Sequence, residues 1–155
     1  MVELEPLGVT VDGHRQPVVL LRNDDRVLPI VVGVAEAEAI HSALTKRDLG
    51  RPMTHDLICN LLAGLRGELK SVTIYKLENE TFFAHLNIEQ KNAEGEPDQV
   101  LRVDTRPSDG VAIACRVAAP ILAAESVMDA ASQDLSILQT PEDEEDDEDD
   151  DGFED

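Results

Sequence analysis

A chain of 155 residues with 33 acidic and 13 basic side chains carries a formal net charge of −20 and is long enough for one domain with its own core. Aromatic residues make up only 3% of it and tryptophan is absent, so Val, Leu, Ile and Ala must supply that core. No apolar run reaches the roughly 20 residues that span a bilayer, and MVELEPLG lacks the basic stretch and apolar run of a secretory leader, which reads as a cytoplasmic protein with no membrane partner.

Three β-branched runs come first, Val9–Val11, Val18–Leu21 and Val27–Val32, separated by the turn formers Asp12-Gly13 and Asn23-Asp24-Asp25. After Gly33 the alanine-rich stretch AEAEAIHSALTKR predicts a helix, with Ile40 and Leu44 on one face. Gly50 and Pro52 break it. A second helix restarts with Thr54 as a candidate N-cap and Asp56 in the first turn, and Gly67 is a plausible stop. Strands return in KSVTIYKLEN and TFFAHLNIEQK. In the latter, Phe82, Ala84, Leu86 and Ile88 alternate with Phe83, His85, Asn87 and Glu89. A turn, NAEGEPD, leads to the strand QVLRVDT, then a buried helix from Val111 to Ala119 ended by Pro120. The remainder, to Leu138, predicts a short strand and a short helix. This order gives an α+β fold, a largely antiparallel sheet with about three helices packed on it.

The charge is unevenly spread. Pro141–Asp155, PEDEEDDEDDDGFED, holds 12 acids and no base, leaving −8 on the rest. Such a block repels itself, so the expected organisation is a domain over residues 1–139 and a disordered acidic tail over 140–155, suited to a basic partner. The acidic body counts against nucleic acid, which usually meets a basic patch. Cys59 and Cys115 lie in apolar helical patterns and read as two small buried thiols, with a disulfide or metal pair as the lesser alternative.

No P-loop, G-x-G-x-x-G, G-x-S-x-G or zinc spacing is present. One short echo is. RPMTHDLI precedes the second helix and RPSDGVAI the third, placing Arg51 and Arg106 just outside two helix N-termini, where free N–H groups favour anions. Brought together, they would flank one concavity. Within these segments His55 is a natural general base and Asp56 a neighbouring acid; the plainer reading makes both exposed first-turn residues. Asp104 and Asp109, five apart across a strand-to-helix turn, could hold a divalent cation on oxygen ligands, and Arg106 could clamp a phosphate. Alternatively Ser108 or Asp109 merely caps the helix and Arg106 pairs with an acid. Glu38 and His41, at i and i+3, form a single weak Glu-x-x-His box beside Glu36.

Taken together, RVLPIVVGVAEAEAI, RPMTHDLICNLL, TFFAHLNI and RPSDGVAIACRVAAPI resemble the bifunctional nuclease domain family, over about residues 3–138. The resemblance implies an α+β domain acting on phosphodiester bonds of DNA and RNA. Matching positions are Arg51, Thr54, His55 and Asp56 in one motif, Arg106, Ser108 and Asp109 in the other, and Glu36 after the third strand. In that light His55, Asp56 and Asp109 are the candidate catalytic residues and Arg51, Arg106 and Ser108 the candidate substrate-binding ones. Asp104, Asp109 and Glu36 are candidate ligands for a divalent metal such as Mg2+. Gly110 stands where the family usually carries alanine or another small residue, a change expected to loosen the helix start by up to about 1 kcal/mol. The rival reading is a non-catalytic binding or regulatory module taking a small anion or a protein partner. Alanine-rich helices and strand edges leave room for a homo-oligomer.

Overall fold

The computed structural model describes residues 1–138, and the predicted acidic tail lies outside them. Eight strands form one sheet in the order β6-β5-β4-β7-β1-β2-β3-β8. They are β1 (Val2–Val11), β2 (Pro17–Asn23), β3 (Arg26–Val31), β4 (Gly67–Glu78), β5 (Thr81–Lys91), β6 (Pro97–Thr105), β7 (Ile121–Ala123) and β8 (Gln133–Asp134). Every pairing is antiparallel except β4 with β7. The four helices are α1 (Val34–Leu44), α2 (Thr54–Gly64), α3 (Pro107–Val117) and α4 (Glu125–Ala131), followed by a 3₁₀ turn at Leu135–Leu138.

Helix α3 packs on β4 and β5 and is flanked by α1 on the β1–β2 side and α2 on the other. It is the apolar centre of the molecule: Val111, Ala112, Ile113 and Ala114 are at most 2% exposed. Around them lie Val19, Leu21, Leu28, Ile40, Val72, Ile74, Ala84 and Ile121, a core of aliphatic residues with no fully buried aromatic ring among the described residues. Helix α4 touches both β3 and β4, strands separated by three others, so the sheet is curled rather than flat.

Element boundaries shift for physical reasons. The first strand starts at Val2, well before the β-branched run, because Leu4 is buried against the sheet's helical face. Helix α2 stops at Gly64, and Arg66, with φ +61°, takes the left-handed turn that Gly67 was expected to make. Helix α3 begins four residues earlier than the apolar run suggests: Pro107 sits at its first position, where its missing N–H costs nothing. Asp109 therefore lies inside the first turn.

Gly110 explains itself at this level. A Cβ there would lie 2.8 Å from Val72 Cγ1 and 3.4 Å from Thr105 Cγ2, so its absence lets α3 sit directly on β4. Whatever helix propensity is lost is the condition for that close approach.

Candidate functional site

Three helix starts converge. Glu36 lies in the first turn of α1, His55 in that of α2 and Asp109 in that of α3. His55 Nε2 is 2.9 Å from Asp109 Oδ1. Arg106, just before α3, donates from Nε to Asp109 Oδ2 at 2.9 Å and from Nη2 to Glu36 Oε1 at 2.9 Å. The result is a continuous chain, His55–Asp109–Arg106–Glu36, drawn from segments up to 73 residues apart in sequence but joined by contacts of 2.9 Å. Three helix N-termini give this corner a positive field beyond its formal charges.

Local features hold each member. Glu36 folds back over its own helix start, and Gly33 makes this possible, since a Cβ at 33 would run into the Glu36 carboxylate. Its own backbone N–H, then Arg106, keeps the Glu36 carboxyl below its ordinary range. Glu36 and Asp109 together push the Arg106 guanidinium further toward its charged form. The His55 side chain is only 11% exposed, whereas that of Arg106 is 65% exposed. Arg106 Nη1 makes no hydrogen bond among the described residues. Beside it runs a groove of about 260 Å3, lined by the end of β3 from Ile30 to Gly33, the β4–β5 turn at Glu80–Phe82, and Arg106–Ser108.

Asp56 is differently employed. Its Oδ2 accepts the Met53 N–H at 2.9 Å and its Oδ1 accepts the Arg116 Nε–H at 2.7 Å. The Met53 backbone N–H, then Arg116, holds its carboxyl below the usual range. Both oxygens are thus committed to starting α2 and clasping it to α3. Thr54, expected to cap, is the first helical residue instead, with Met53 at the cap position. Arg116 also donates to the carbonyls of Ala39 at 2.9 Å and Ala112 at 2.8 Å, tying all three helices together behind the site. Sequence reasoning missed Arg116; a lone arginine late in an apolar helix was the available signal.

The remaining candidates make no contact within that chain. Arg51 is exposed, four residues before His55, without an ion-pair partner among the described residues. Ser108 is 6% exposed and faces inward from the first turn of α3. Glu38 is 3.4 Å from Arg47 on an exposed face of α1, not with His41 in a metal box. Asp104 points the other way. It is registered opposite His85, whose ring stacks 4.8 Å from Tyr75, while its neighbour Thr105 faces Gly110 on the helical side. The carboxylate set Asp104, Asp109 and Glu36 is therefore not brought together. Asp109 and Glu36 instead share Arg106, whose guanidinium stands between them, and no group of three His, Cys, Asp or Glu side chains converges among the described residues. In this arrangement these residues do not fit a metal. Cys59 and Cys115 are free and half-buried, unpaired with each other.

Two comparisons place this geometry. The model of the bifunctional nuclease domain matches residues 18–136, and the chain belongs to that family. It is 43% identical over 131 residues to an uncharacterized protein of Mycobacterium tuberculosis, covering 83% of this chain and 74% of the relative. It is 27% identical over 117 residues to bifunctional nuclease 1 of Arabidopsis thaliana and 28% identical over 109 residues to bifunctional nuclease 2 of Oryza sativa subsp. japonica. Those matches cover 74% and 68% of this chain but only 35% and 33% of the plant proteins. Among the described residues no helix is long and apolar enough to cross a membrane.

Proposed function

We propose that this domain is a nuclease hydrolysing phosphodiester bonds of DNA and RNA, with His55 as general base. The observation that carries the reading is the His55–Asp109 contact at the junction of three helix starts; the family and the printed names of the plant relatives supply the reaction class. With its Nε2–H donated to Asp109, His55 keeps the Nδ1 lone pair for a proton. That proton comes from the attacking water, or from a ribose 2′-hydroxyl in RNA, as the nucleophile adds to phosphorus and the leaving oxygen departs. Asp109 fixes the tautomer and stabilises the imidazolium that forms. Arg106 Nη1 and Arg51 neutralise the phosphate oxygens, and the helix N-termini add to that field. Nothing in this scheme is routed through a metal.

A second reading rests on one observation. Arg106 already balances two carboxylates, and the body carries −8. A non-catalytic module holding a small anion or a protein would use the same corner without turnover.

The test assays labelled single-stranded DNA and RNA with the full chain and with a chain lacking residues 141–155, each with and without chelator. Cleavage lost in both His55→Ala and Asp109→Ala supports the nuclease. Cleavage unchanged in both removes these residues from the chemistry, and no cleavage by any form, with anion binding lost in Arg106→Ala, establishes the binding module.

A further inference from the structure

Strand β6 ends the sheet on one side, and its outer edge is unpaired among the described residues. The opposite edge is blunted by the two-residue β8, whereas β6 runs for nine. A long free edge is a template for another strand. On the helical face, Val103 of this strand is 42% exposed, a core-side residue that no element covers. Helix α2, which flanks α3 on the side away from α1, is also uncovered: Met53, Leu57, Leu61 and Leu65, each four residues after the last, are all more than half exposed. Four-residue spacing puts them in one stripe. Free edge and bare valine belong to the same strand, and α2 flanks α3 away from α1 and the β1–β2 side of the sheet.

The charges on β6 indicate what covers that side. Strand alternation puts Val100, Arg102 and Asp104 on the face of His85, opposite the helices. Arg102 and Asp104 form no ion pair with any described residue. If a second copy of β6 pairs antiparallel about a two-fold axis normal to the sheet, the centre of the pairing decides the neighbours. A centre at Arg102 sets arginine against arginine. A centre at Leu101 sets Asp104 toward Asp98, where the strand is irregular. A centre at Val103 sets Arg102 of each copy opposite Asp104 of the other, twice, and Val103 against Val103. Opposite charges directly across an antiparallel pair stabilise it and like charges oppose it.

We propose that two copies of this chain associate through β6 in that register, continuing the sheet across the seam and placing both α2 helices on the same face. The inference is independent of the nuclease reading. The apolar stripe and the uncovered valine supply the area removed from water, and the Arg102–Asp104 pairs select the register.

The test is sedimentation of the full chain at about 0.15 M salt, the screening regime in which surface pairs are still felt. A concentration-dependent dimer is expected, weakened at least tenfold in Kd by Arg102→Asp and by Asp104→Arg singly. The combined reversal, which recreates each pair with its sign exchanged, restores it. Restoration shows that the losses come from the charge pairing and not from either substitution in itself. Leu57→Asp and Leu61→Asp weaken it likewise. As a check on register, Val103→Cys in a chain with Cys59→Ser and Cys115→Ala forms a disulfide-linked dimer on mild oxidation, because facing strand residues stand about 4.5–5.5 Å apart at Cα. A monomer at all concentrations overturns the proposal. So does a dimer indifferent to the single reversals, or one that the double reversal leaves as weak as the singles.

Discussion

His55 and Asp109 are 54 residues apart in the chain and meet at 2.9 Å. Each reaches the other from the first turn of its own helix, so the contact exists only when α2 and α3 are docked at their N-terminal ends. Asp109 is held from its other oxygen by Arg106. The carboxylate is therefore fixed on both sides, and the imidazole has one orientation. In the nuclease reading Asp109→Asn lowers turnover by about 10²-fold with little change in substrate binding, within the range typical of general-base catalysis. His55→Ala together with Asp109→Ala is no slower than His55→Ala alone, because two residues acting as one unit do not add. Single-turnover cleavage rates measure both. Additive losses would separate the two residues.

Gly110→Ala tests the packing of α3. Helix propensity favours alanine by up to about 1 kcal/mol, but a Cβ 2.8 Å from the fully buried Val72 forces a shift in the core. Overpacking of this kind costs about 1–3 kcal/mol. The net expectation is destabilisation by about 1 kcal/mol, a fall in Tm of about 3 °C for a domain of this size. The paired change Val72→Ala with Gly110→Ala costs less than the two singles summed. A more stable Gly110→Ala would show that the strand yields freely.

The Arg116 clasp carries a pH signature. Arg116→Met removes hydrogen bonds to Asp56 and to the Ala39 and Ala112 carbonyls and destabilises by about 2–3 kcal/mol, as for hydrogen bonds to charged groups. Asp56 and Glu36 both have folded-state pKa values held below their unfolded ones. The stability they contribute is complete above the ordinary carboxylate range, near pH 4, and is lost as pH falls through the lower folded values. Thermal unfolding should thus be flat in these terms from about pH 7 to 5 and decline below about pH 4. Asp56→Asn begins less stable near neutrality and declines less on acidification. An unchanged acid slope in that variant would deny the clasp its charge.

The thiols should be inert. Burial pushes the Cys115 thiol up to about 11 and raises Cys59 as well. At pH 8 about one Cys115 in a thousand is thiolate, far less than for a free cysteine. Alkylation at pH 8 is therefore slow in the folded protein and fast in denaturant, with two thiols modified. Rapid reaction of Cys115 in the native protein would mean that α3 opens readily at its C-terminal half.

Much of the fold is legible in the chain because its signals are local. Alternation in Phe82–Ile88 and the aliphatic run from Val111 declare their elements without reference to anything distant. What is not local was harder to read. The Arg-Pro echo points to two helix starts, and the structure joins them through His55 and Asp109, yet no spacing rule says that Arg106 turns to Glu36. Asp104 and Asp109 look like partners at five residues' separation. The boundary between them is a strand-to-helix turn, and the period of two in β6 sends Asp104 to the far face. Arg116 escaped notice because its partners, Asp56 and Ala39, lie 60 and 77 residues away.

Strand β7 has only three residues, Ile121–Ala123, yet it lies between β1 and β4, which have no pairing with each other. The sheet is thus two hairpin-built wings joined by a late-arriving splint. During synthesis β1–β3 and β4–β6 emerge first, and the sheet becomes continuous only once residue 123 has left the ribosome. Glu36 follows one wing and Asp109 the other, so the packing of α1 on α3 and the backbone pairs of β7 are two separate bridges between the halves of the candidate site.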